Sequence, residues 1–126
     1  MPSSPLDVAA VDDAIEAGAE RAFDLLERLV AEPSVLGNEG SAQEVVAEEF
    51  DRLGFALERL AIPDAIGEHE AAGVPQRSYD GRLNVTGWQG PESGRSLLLG
   101  GHIDVVPPAE PDLWTSGPFV PFRRAG

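Results

Sequence analysis

Residues 96–119 read SLLLGGHIDVVPPAEPDLWTSGPF. The stretch opens on Leu97, Leu98 and Leu99, passes Gly100 and Gly101, and sets His102 and Asp104 two residues apart. Val105-Val106 and Pro107-Pro108 follow, then a loop carrying Trp114 and Pro118-Phe119. A continuous apolar run suits a strand covered on both faces, as in α/β sheets. Sheets of that kind place their ligands beyond the carboxyl ends of the strands. Residues i and i+2 of a strand point to the same side, so His102 and Asp104 meet if extended geometry persists that far. A carboxylate beside a histidine fixes its tautomer, orients the ring and raises its basicity, which is the arrangement behind metal-bound imidazoles. The pattern therefore predicts a buried strand that delivers an imidazole and a carboxylate to one end of a sheet. By itself H-x-D also fits a satisfied polar pair at a strand end, and a short motif is only a hypothesis.

Working outward, Arg82–Trp88 (RLNVTGW) alternates as a strand, and the turn cluster Gln89–Arg95 leads from it into the Ser96 run. The two are expected to form an antiparallel hairpin. Phe55–Leu60 (FALERL) is strand-length and follows its helix by one glycine. Before it, Ser41-x-x-Glu44 has the form of a capping box. Val46, Phe50 and Leu53 make an apolar stripe, and Gly54 is a natural stop. The first helix is expected from Asp7 or Asp12 to Glu32, with Val11, Ile15, Ala22, Leu26 and Val30 at helical spacing. Asp12 can cap its first turn, and Pro33 pushes Glu32 out of helical geometry. Residues 1–10 are expected to be a flexible lead-in, and Ala61–Asp80 a loop or insertion, since it holds Pro63, Gly67, Gly73 and Pro75 without a period. His69, between Glu68 and Glu70, reads as an exposed loop histidine, and the Glu48-Glu49 pair as a solvated helix face.

Composition narrows the function classes. The chain has 126 residues, one ordinary domain by length, with 42% hydrophobic residues and a net charge of −13. All nine of its cations are arginine. That balance disfavours nucleic acid, whose binding needs basic residues to neutralise phosphate, and anionic membrane surfaces. The absence of cysteine removes disulfides and thiolate metal sites. The N-terminal stretch has no basic segment followed by an apolar core, so no secretory signal is expected. No run approaches transmembrane length. A cytoplasmic location is the expectation.

The wider string LLLGGHIDVVPP, followed by W-T-S-G-P-F, resembles the first metal-site segment of one family of zinc-dependent hydrolases. These are the aminoacylases, acetylornithine deacetylases, succinyl-diaminopimelate desuccinylases and glutamate carboxypeptidases. Five features coincide in order: apolar strand, Gly-His, the +2 Asp, Val-Val-Pro, and the Trp/Pro-Phe loop. PSVLGNEG (Pro33–Gly40) is similar to the family's segment between its first two helices, and Arg82-x-Asn84-Val85 to the strand before its G-H strand. The resemblance runs from about Val11 to Phe122. It implies an α/β fold, the N-terminal part of a mixed-sheet catalytic domain: two helices, then a strand and an antiparallel hairpin. It implies His102 as a zinc ligand and Asp104 as the carboxylate that orients it. In the complete enzyme it implies two zinc ions, replaceable by cobalt, and a small-molecule N-acyl amino acid or peptide as substrate.

The resemblance also marks what is missing. A catalytic zinc takes about three protein ligands and an open position, and a two-metal site adds bridging groups. In the family, the bridging aspartate lies in a G-R-G-x-x-D-x-K segment soon after the Pro-Phe loop, and the base and remaining ligands follow. No position here matches them before Gly126. The 126-residue chain alone is therefore expected to be inactive and marginally folded, and a homodimer is expected only with the family's second domain. The alternative is a non-catalytic remnant or interaction module without metal chemistry. A metallo-β-lactamase type of site would need H-x-H-x-D-H, but Gly100 and Val105 stand at the required positions. No G-x-S-x-G elbow supports a serine hydrolase.

Overall fold

The structure, a computed structural model, describes residues 7–73 and 78–124. The chain is α/β. Helix α1 spans Val8–Val30, helix α2 Gly40–Arg52, strand β1 Ala56–Ala61 and strand β2 Leu83–Trp88, with short 3-10 turns at Asp64–Glu68 and Pro111–Leu113. Of the lead-in expected at 1–10, residues 1–6 lie outside the described residues, and α1 begins at Val8.

Asp7, not Asp12, caps α1: its Oδ1 accepts the Ala10 N–H at 3.2 Å. An aspartate in extended geometry just ahead of the first turn satisfies a backbone N–H that the helix leaves free. The apolar stripe of α1 is largely uncovered, with Ile15 and Leu26 exposed and no described residue of the helix buried. Helix α2 corrects the capping-box expectation. The helix starts one residue before Ser41, its N-cap is Glu39, and no side chain caps it. Glu44 instead pairs with Arg59 on β1.

The buried line of α2 is Ala42, Val45 and Glu49, with Ala47 beside it, while Val46 and Phe50 are half-buried and Leu53 is exposed. Glu49 therefore corrects the solvated-face expectation. It is 9% exposed and bonded to Arg52, three residues on, whereas Glu48 stays exposed and pairs with Arg28 of α1. A carboxylate can enter the buried face because a guanidinium on the next turn reaches it.

The sheet is antiparallel, with Ala56 opposite Trp88 and Ala61 opposite Leu83. Its partners differ from the expected hairpin: β2 pairs backward with β1, not forward with the Ser96 run. The stretch Ala61–Asp80, expected as a loop or insertion, falls almost wholly in the connection between the two strands, residues 62–82. It carries a 3-10 turn at Asp64–Glu68, and residues 74–77 lie outside the described residues. Residues 95–100 form no strand, and Leu97, Leu98 and Leu99 are 80%, 93% and 83% exposed. An apolar run becomes a buried strand only when neighbours pair its edges and cover its faces. Among the described residues nothing covers these leucines.

Phe50 fixes α2 on the sheet. Its ring lies against Gly87 of β2 and stacks on Phe55, ring centroids 5.3 Å apart. The loop 31–39 between the helices is tied to the same framework. Glu39 is buried at the entry to α2 and accepts from Arg82 at 2.7 Å, at the start of β2. This pair brings the loop to the side of the sheet where residues 101–104 lie.

Candidate functional site

His102 and Asp104 meet, though not on a strand. Residues 101–104 have no regular structure, and Val105 makes an isolated parallel bridge to Val35. His102 Nδ1 stands 3.2 Å from Asp104 Oδ1 and 3.0 Å from the backbone oxygen of Asp104. Both neighbours are acceptors, so the neutral ring carries its hydrogen on Nδ1 and keeps the Nε2 lone pair free. The His102 side chain is 84% exposed, which leaves Nε2 open to a ligand.

The segment is held from the inter-helix loop. Ser34, 3% exposed, donates from Oγ to the Ile103 carbonyl at 2.9 Å, and the Val105 N–H donates to the Ser34 carbonyl at 2.9 Å. The loop is itself braced. Asn38 Nδ2 donates to the Pro33 carbonyl and the Gly37 N–H to Glu39 Oε1, each at 2.8 Å. Gly37 sits at φ 88°, a backbone geometry that glycine adopts without steric cost. Sequence reasoning marked this loop by resemblance alone and gave Ser34, Glu39 and Arg82 no role. Their partners lie 43 to 69 residues away, and no local pattern shows such bonds.

The pair opens on a groove of about 630 Å³ whose walls include Glu39, Glu44, Asp80, Arg82 and Asn84. Glu44 is held below the ordinary carboxylate value by its hydrogen bond from Arg59, so it stays ionised and engaged. Glu39 is likewise engaged with Arg82. Among the described residues no group of three or more His, Cys, Asp or Glu comes together to hold a metal ion. The donor chemistry of the described residues thus fits one imidazole ligand with its orienting carboxylate, and not a complete set of metal ligands. His69 is apart from this site, in the inter-strand connection, with its Nδ1 accepting the Ala71 N–H at 3.1 Å. No described helix is long and apolar enough to cross a membrane.

Comparison with known proteins finds relatives of one kind. The chain is 34% identical over 104 residues to a succinyl-diaminopimelate desuccinylase of Xylella fastidiosa (strain M12), covering 82% of this chain and 23% of that protein. The same enzyme of strain 9a5c matches to the same extent. A succinyl-diaminopimelate desuccinylase of Variovorax paradoxus (strain S110) is 31% identical over 106 residues, 84% of this chain and 25% of that protein. The chain spans about a quarter of the length of these curated relatives. No protein-family model matches it, and no solved structure does.

Proposed function

We propose that this chain, which belongs to the aminoacylase and succinyl-diaminopimelate desuccinylase family of amide-bond hydrolases, supplies the first metal-binding segment of a zinc-dependent member. The whole protein would hydrolyse the amide bond of an N-acylated amino acid or small peptide. The observation that carries this reading is the His102–Asp104 contact, which commits Nδ1 to the carboxylate and leaves Nε2 for a metal.

In this reading His102 is a ligand and Asp104 fixes its tautomer and ring orientation. Zinc, when bound, supplies Lewis-acid polarisation of the amide carbonyl. The chain's own residues do the rest of the positioning: Asp104 holds the His102 proton on Nδ1, and Arg82 neutralises Glu39 at the groove wall. Further ligands and a general base would come from parts of the whole protein that these residues do not contain. The 126-residue chain alone is therefore a weak metal binder and not a hydrolase.

The test compares the isolated chain with a longer protein that carries the counterpart of its relatives' remaining length. The longer protein should hold stoichiometric zinc and hydrolyse N-acyl amino acids, and His102→Ala should abolish both. The isolated chain should do neither. A longer protein that binds no zinc and turns over no acyl amino acid would favour an interaction module without metal chemistry.

A further inference from the structure

We propose that Ser34 is a positioning residue for the His102–Asp104 pair, holding the peptide between the two side chains and so setting the direction in which His102 presents Nε2. The functional consequence rests on the metal-ligand reading of His102, whereas the geometry stands without it.

Ser34 is buried at 3% exposure, and a buried hydroxyl without a partner is costly. Its partner is the carbonyl of Ile103, the one residue between His102 and Asp104. The return bond runs from the Val105 N–H to the Ser34 carbonyl, so the two bonds straddle Asp104. Among the described residues nothing comparable holds the segment from the other side. The preceding leucines are exposed, and a Cβ placed on Gly100 or Gly101 would meet no atom within 4 Å. The Ser34 loop is a firm base for the clamp, because Asn38 closes it onto Pro33 and Glu39 ties it to Arg82, just ahead of β2. A displacement at Ser34 therefore passes directly to the peptide that spaces the imidazole from its carboxylate. In metal sites, groups that orient a ligand are worth roughly 10- to 100-fold in metal affinity.

The test uses Ser34→Ala and Ser34→Thr in the full chain, and in the longer protein where metal affinity is measured. At a pH where the ring is neutral, the nitrogen chemical shifts of the His102 ring report its tautomer. The parent and Ser34→Thr should hold the Nδ1–H form, while Ser34→Ala should give a mixture and exchange its Val105 amide roughly tenfold faster. In the longer protein, Ser34→Ala should weaken cobalt binding roughly tenfold, and Ser34→Thr should restore it. Should Ser34→Ala fail to fold, Ser34→Cys keeps the volume with only a weak donor and carries the same measurements.

An unchanged tautomer and Val105 exchange rate in Ser34→Ala would overturn the proposal. So would equal behaviour of the alanine and threonine variants. If the His102 ring of the longer protein shows no response to zinc or cobalt, the metal-ligand reading fails, and the tautomer measurement still decides the role of Ser34.

Discussion

Gly87 lies directly beneath the ring of Phe50: a Cβ on Gly87 would stand 2.8 Å from Phe50 Cδ2 and 3.2 Å from Cγ. A glycine inside a strand marks close approach of another group, and here the group is the residue that seats α2 on the sheet. Gly87→Val should cost about 1–3 kcal/mol through overpacking, because the ring must leave Phe55 to make room. The shift in urea midpoint measures it, and a stabilised variant would contradict this packing.

Glu39 and Arg82 form a largely buried ion pair that joins the inter-helix loop to β2. Removing one partner strands the other charge, so Glu39→Gln and Arg82→Met should each cost roughly 3 kcal/mol. The double variant should cost less than the sum of the two. Additive losses in that cycle would show that the pair is not coupled.

Glu49 sits below the ordinary glutamate value of 4.5, first because Arg52 donates hydrogen bonds to it. A carboxyl depressed in the folded state stabilises above its unfolded value and loses that contribution as pH falls through its folded value. Arg52→Gln should therefore be less stable than the parent at neutral pH. The difference should shrink toward zero as pH drops below 4.5. Denaturant titrations across that window should show the two curves converging, and parallel curves would remove Arg52 as the cause.

Leu98 is 93% exposed between two leucines that are nearly as open. An uncovered apolar run is an association hazard. Leu98→Lys should reduce concentration-dependent self-association of the 126-residue chain while changing its stability by less than about 0.5 kcal/mol. Sedimentation at two concentrations checks both the parent and the variant. A large stability loss would mean that the leucines are buried in solution.

The sequence determined the helices, the two strands and the juxtaposition of His102 with Asp104. Each is a local matter: helical periodicity, alternation in Leu83–Trp88, and a two-residue spacing that lets an imidazole reach its neighbouring carboxylate. Tertiary structure alone decided three further things. Strand β2 pairs with β1 rather than with the leucine run, because strand partners are chosen by long-range edges that no local pattern encodes. Glu39 turns inward to Arg82, and Glu49 enters the buried face of α2, because guanidinium groups reach both. Ser34 closes on Ile103 across 69 residues, a bond between two backbone neighbourhoods that only the folded chain brings together.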